Sequence, residues 1–240
     1  MSFRPQSFSI LPPVIKNLLI INGILFLITL TGITSELGFD IEEQFSLFHW
    51  RSSHFKPWQI VTHMFMHADF MHLLYNMFAL WMFGNTIENL WGSKRFLNFY
   101  LITGIGASIL YLFTKEIQLQ MIIESISPEI LEQACNLPFR QNFVDPTLAQ
   151  FGNIINTPMV GASGAVYAIL MAYGLMFPNS IIHIYFVLPV KMKYFIIAMI
   201  LFSIYGETIG NDNIAHLAHL SGMLIAYILI KYWKKNNYLY

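Results

Sequence analysis

Three stretches of this sequence carry side chains able to make and break an acyl bond. The first is Thr62-His63-Met64-Phe65-Met66-His67-Ala68-Asp69-Phe70-Met71-His72-Leu73-Leu74-Tyr75-Asn76. The second is Gly161-Ala162-Ser163-Gly164-Ala165-Val166-Tyr167, and the third runs Asn213-Ile214-Ala215-His216-Leu217-Ala218-His219-Leu220-Ser221-Gly222. A serine beside an imidazole is the minimum for nucleophilic acyl transfer, because the ring can remove the hydroxyl proton and return it to the leaving group. A carboxamide such as Asn76 and a second imidazole such as His72 can donate hydrogen bonds to the oxyanion that forms. If Ser163 opens a helix, the positive end of that helix dipole lies beside it.

Each stretch reads as the start of an apolar helix. Of 240 residues, 56% are hydrophobic and 11% are charged, against roughly a quarter charged in an average soluble domain. Thirteen Lys and Arg balance thirteen Asp and Glu. With no basic excess, nucleic acid is not an expected partner. The single cysteine, Cys135, rules out an intrachain disulfide framework and any zinc site needing two thiolates. The composition is that of an all-α integral membrane protein, with the lipid bilayer as solvent. Six crossings are expected in one domain spanning 1–240, at about 14–34, 61–83, 95–114, 161–177, 190–206 and 213–233. The first follows Pro12-Pro13 and lacks an Ala-x-Ala-like cleavage site, so it reads as a retained helix and not a signal peptide. Residues 115–158, with four prolines and five acidic residues, read as a loop insertion on the outer face, holding one interfacial helix near 116–132.

Orientation follows from the basic residues. Assigning alternate loops to two sides gives nine basic residues on the side of both termini (Arg4, Lys16, Lys94, Arg95, Lys191, Lys193, Lys231, Lys234, Lys235) and four on the other (Arg51, Lys56, Lys115, Arg140). The positive-inside rule then makes both termini cytoplasmic. The second, fourth and sixth helices enter from the outer face, and all three reactive stretches lie at one depth. Fifteen residues separate Ser163 from Pro178, about 22 Å of helix at ~1.5 Å per residue. A hydrocarbon core of roughly 30 Å leaves Ser163 several ångströms below the outer surface, reached by water through a cavity open to that side. A bacterial inner membrane is the expected location.

These motifs, in this order on these helices, resemble the rhomboid intramembrane serine proteases over about 58–233. The resemblance implies a six-transmembrane-helix bundle in which Ser163 is the nucleophile of Gly161-Ala162-Ser163-Gly164 and His219 of His219-Leu220-Ser221-Gly222 is the general base and acid. It implies His72 and Asn76 as the oxyanion pair. Tyr167 would pack against the catalytic histidine, Gly161, Gly164 and Gly222 would support the site, and His63 and His67 fall at the family's upstream histidine spacing. The implied substrates are transmembrane proteins, cut within or beside their membrane segments, with no cofactor and no metal. Three positions depart from the family. Trp58-Gln59 stands where the family has Trp-Arg, with Trp50-Arg51 eight residues earlier; Ala226 replaces a downstream glycine; and the loop before the serine is long.

His216, one turn before His219, could be the base, a neighbouring donor, or a residue nearer the outer surface where water satisfies it. The small-residue ridge of Gly222 and Ala226 favours His219 as the residue at the close helix contact. Two other classes stand beside the protease reading. One is a metalloprotein using His63, His67, His72, His216 and His219. The other is a noncatalytic rhomboid-like protein that binds membrane clients.

Overall fold

The computed structural model describes residues 8–123, 127–136, 146–184, 187–209 and 215–236. Helix α1 is Pro13–Thr31, with proline in its first turn and Gly32 in the left-handed conformation (φ 65°) after its last residue. Both are positional preferences with a backbone cause: proline lacks the N–H that a first turn leaves unused, and glycine tolerates positive φ. The backbone N–H groups of Val14 and Ile15 donate to the Glu88 carboxylate at 3.0 and 2.9 Å, and the Ser93 hydroxyl donates to it at 2.6 Å. Glu88 thereby ties the start of α1 to the turn between the next two long helical segments.

Two short helices, α2 (Ile33–Glu36) and α3 (Ile41–Phe45), lead into an irregular loop and then α4 (Gln59–Thr62). The expected continuous helix at 61–83 is interrupted. After α4 come a 3₁₀ turn at His63–Phe65 and an extended Met66; Asp69 then caps α5 (Phe70–Ala79), its carboxylate accepting from the His72 N–H at 2.8 Å. Aspartate at that position satisfies one of the orphan N–H groups of a new helix, so the chain restarts there. A π-helical turn at Leu80–Gly84 joins α5 to α6 (Asn85–Trp91), which extends this segment well beyond 83. Gly92 (φ 78°) turns the chain into α7 (Ser93–Ile123).

α7 continues nine residues past the expected end at 114, so the first part of the 115–158 loop is helical. The rest of the insertion contributes α8 (Pro128–Cys135) and α9 (Pro146–Asn156) in place of one interfacial helix; 124–126 and 137–145 lie outside the described residues. Leu119, Ala134, Phe151 and Ile155 form a small apolar core of their own. Polar contacts fix this unit to the loop before α4. Glu116 accepts from Arg51 Nε (3.0 Å), Arg51 Nη2 (2.6 Å) and Trp50 Nε1 (3.0 Å). Ser52 donates to Asn156 Oδ1 at 2.6 Å, and Asn156 Nδ2 donates to the Ala134 carbonyl at 2.6 Å. His49, buried beside Glu116, has its pKa pushed down to about 4, mainly by burial. Leu47 and Met159 exchange both backbone hydrogen bonds, at 2.9 and 2.8 Å, so the loop and insertion together hold the segment that leads to Gly161.

The central helix is α10 (Ser163–Met176), which is apolar and buries residues on every face, including Ala165, Val166, Ala168, Ile169, Ala172 and Gly174. A helix apolar all round is one surrounded by others; α10 packs against α7 and against α11 (Met192–Ile209) and α12 (His216–Lys235). A β-hairpin, β1 (Ile181–Ile184) antiparallel to β2 (Leu188–Lys191), connects α10 to α11 where a plain loop was expected. The expected span at 213–233 begins at His216 in the structure and runs to Lys235, with Asn213 and Ile214 outside the described residues. Among the described residues three helices, α1, α7 and α11, are long and apolar enough to cross a membrane, and α10 is a shorter apolar helix. The outward faces of α1 and α11 carry exposed Ile20, Ile24, Leu27, Ile197 and Leu201. Such faces suit acyl chains and not water, and the chain is an integral membrane protein.

Candidate active site

Close helix approach builds the site. A Cβ on Gly222 would fall onto the Gly164 carbonyl oxygen, 2.9 Å from its carbon and 3.3 Å from the Gly164 Cα, and a Cβ on Gly164 would lie 2.9 Å from Ala107 Cβ. α12 and α10 thus touch backbone to backbone and α7 meets α10 through the Ala107 methyl, as small residues permit in membrane bundles. Ala226, one turn below Gly222, is fully buried and continues the ridge.

At the top of that contact His219 Nε2 lies 2.8 Å from Ser163 Oγ. The His219 ring stacks on Tyr167, with centroids 4.0 Å apart and planes 12° apart. Ser163 is the first residue of α10, so its N–H has no intrahelical acceptor and points with the positive end of the helix dipole. Gly161, at φ 115°, makes the turn into this helix and donates its N–H to the His63 carbonyl at 2.9 Å. Its conformation and its surroundings both require glycine, since a Cβ would meet His72 Nε2 at 2.7 Å.

The same Cβ point lies 3.7 Å from Ser163 Oγ, so the His72 imidazole and the serine hydroxyl both flank Gly161. His72 is held from the other side by His67, edge to face at 5.1 Å between centroids. Asn76 is buried, and its Nδ2 donates to the His72 carbonyl at 2.9 Å. A carboxamide nitrogen has two donors, so one N–H remains for a reacting oxygen. His63 and His67 are buried and belong to the turn before α5, His63 Nδ1 lying 2.9 Å from the Gln59 carbonyl. A cavity of about 10 Å³ beside Ser163, lined by His63, Met64, Gly104 and Gly161, matches one water.

Ser163, His219, His72, Tyr167, Gly161, Gly164 and Gly222 therefore converge, with Asn76 one turn along α5 from His72. His216 departs from the expectation of a water-facing ring: it is 1% exposed. Gly206 of α11 has no side chain to hold the helices apart there, and α11 covers the ring. The sequence reading missed Gly206 and Phe202 on α11 as neighbours of this histidine pair; a glycine within an apolar helix was the one available signal. Among the described residues no three His, Cys, Asp or Glu side chains gather as a metal set. Trp58 and Gln59, at the family's Trp-Arg position, hold the preceding loop, with Trp58 Nε1 donating to the Gln44 carbonyl and Gln59 Nε2 to those of Glu43 and His54.

Comparison with curated proteins places this arrangement among relatives. RHOMBOID-like protein 12, mitochondrial, of Arabidopsis thaliana is 30% identical over 169 residues, covering 70% of this chain and 44% of that protein. Rhomboid protein 1, mitochondrial, of Saccharomyces cerevisiae is 26% identical over 168 residues, covering 69% of this chain and 39% of the yeast protein. Rhomboid protease GluP of Bacillus subtilis is 42% identical over 52 residues, 22% of this chain and 10% of that one. The matched regions span less than half the length of each of these relatives. Two are mitochondrial by name and one is bacterial, so they do not support the expected bacterial inner membrane over another membrane. The Rhomboid domain model matches residues 54–235, a stretch that includes every residue brought together around Ser163, and the chain belongs to the rhomboid family.

Proposed function

We propose that this chain is an intramembrane serine endopeptidase that cleaves transmembrane or juxtamembrane segments of membrane proteins with a Ser163–His219 dyad. The observation that carries the reading is the 2.8 Å contact between His219 Nε2 and Ser163 Oγ at a helix start. In this scheme neutral His219, with its proton on Nδ1, takes the hydroxyl proton through Nε2 as Oγ attacks the scissile carbonyl carbon. His72, the second N–H of Asn76 and the Ser163 backbone N–H donate to the oxyanion. Collapse of the tetrahedral intermediate breaks the C–N bond, and His219 returns the proton to the departing amine. Water, deprotonated by the same ring, then hydrolyses the acyl-enzyme. The stack on Tyr167 holds the imidazole in plane through both halves.

The proposed topology has six crossings: α1, the α5–α6 segment, α7, α10, α11 and α12. Both termini are cytoplasmic and the site opens on the opposite face. Substrates would be transmembrane proteins whose helix unwinds readily, because an intact helix shields its carbonyls from attack. No cofactor has a part in the scheme. The test is labelling of the purified protein by a fluorophosphonate. A single adduct on Ser163, lost in Ser163→Ala and in His219→Ala, is the expected result. A folded protein that takes no label at Ser163 would point to a noncatalytic client-binding role.

A further inference from the structure

α11 contributes nothing to the dyad itself, yet it reaches the dyad through one ring. A Cβ on Gly206 would lie 2.5 Å from Cε1 and 2.6 Å from Cδ2 of His216, and closer still to Nε2. The far edge of the His216 imidazole therefore rests directly on the α11 backbone. Phe202, one turn earlier on α11, meets the same ring edge to face with centroids 5.7 Å apart. On its other side His216 stands perpendicular to His219, at 6.0 Å between centroids and 86° between planes. His219 is thus confined by Tyr167 of α10 on one face and by a neighbour whose own position is set by α11.

We infer that His216 is a positioning residue: a rigid spacer between Gly206 and His219 that fixes the angle of the base relative to Ser163 and makes that angle depend on where α11 lies. Shape carries this role. The ring fills the gap between two helices, so filling the gap from α11 and emptying it from α12 both turn the His219 ring, in opposite senses. The inference rests on the dyad reading, and its test is built so that the two can fail separately.

The full chain, in detergent and in liposomes, is assayed for kcat and KM on a transmembrane substrate and for the fluorophosphonate labelling rate. His216→Ala should lower kcat and labelling by about tenfold or more, a fraction of what roughly 1 Å of misplacement costs, while KM stays within about twofold because no substrate contact is lost. Gly206→Ala should show the same split. The double variant should recover turnover above Gly206→Ala alone, since the added methyl occupies the space the ring has left. That recovery is a coupling a merely structural loss would not produce. His216→Asn, with a smaller planar group, should show the same split at lower amplitude, so the proposal remains testable if His216→Ala does not fold. A raised KM with unchanged kcat, or additive losses in the double variant, would overturn the spacer role while leaving the dyad intact. A wild-type protein that neither cleaves nor labels would instead remove the dyad reading.

Discussion

Gly222→Ala places one methyl at the tightest point of the fold, where a Cβ would lie 2.9 Å from the Gly164 carbonyl carbon and nearer still to its oxygen. Carbon atoms rest at about 3.5–4.0 Å, so the carbonyl carbon alone requires α12 to withdraw from α10 by roughly 0.6–1.1 Å, and the nearer oxygen requires more. Backbone faces backbone here, and neither side has a flexible end to give way. Ser163 and His219 sit on these same two helices, 2.8 Å apart at Oγ and Nε2. A withdrawal of even about 0.6 Å along that line stretches the contact to about 3.4 Å, beyond the usual limit of roughly 3.2 Å for a hydrogen bond. Overpacking of this kind costs about 1–3 kcal/mol in stability, so the protein should still fold. An ångström of misplacement in a catalytic pair costs on the order of 10²-fold in rate. Purified Gly222→Ala should elute as the wild type does, unfold at a modestly lower temperature, and lose about two orders of magnitude in kcat. Full turnover at native stability would refute the claim that this glycine sets the dyad distance.

Further outcomes follow from the same geometry. His219→Ala should be as inactive as Ser163→Ala, and the double variant no worse than either, because the two side chains act as one unit; additive losses would dissolve the dyad. Asn76→Ala should lower kcat by about 10²–10³ with a smaller change in KM, as for a single oxyanion donor; an effect on KM alone would make Asn76 a substrate-positioning residue. His49, held neutral with a pKa of about 4 against 6.5 in an unfolded chain, takes up its proton less readily when folded. Its neutral form therefore supports the docked loop fully above about pH 6.5, and that support, up to about 3 kcal/mol, is lost as pH falls toward 4. Thermal unfolding of His49→Gln should lose its extra acid sensitivity over that window relative to wild type; identical pH profiles would show that His49 does not carry it.

The parts legible in the sequence were those governed by local chemistry. Ser163, His219, His72 and Asn76 stand out because polar groups at the starts of apolar helices have few cheap explanations, and the Gly222/Ala226 ridge separates the two histidines of α12. The unread parts depend on contacts between distant residues. The break before α5 comes from Asp69 capping, yet Met64, Phe65 and Met66 read as helix interior. α7 outruns its expected end because Glu116, Gln118 and Gln120 are good helix formers and Leu119 finds apolar partners on α8 and α9. Glu88 caps the start of α1 from 73 residues away in sequence, a link that no local pattern carries. The burial of His216 depends on Gly206, a residue on another helix whose position no local pattern gives.

The central claim is that Ser163, activated by His219, cuts peptide bonds in membrane segments. The most direct measurement reconstitutes purified wild type and Ser163→Ala in liposomes with a single-span substrate and reads the products by mass spectrometry. The account predicts a discrete pair of fragments, with the cut within or beside the span, from wild type and none from Ser163→Ala. Cleavage undiminished in Ser163→Ala would contradict it.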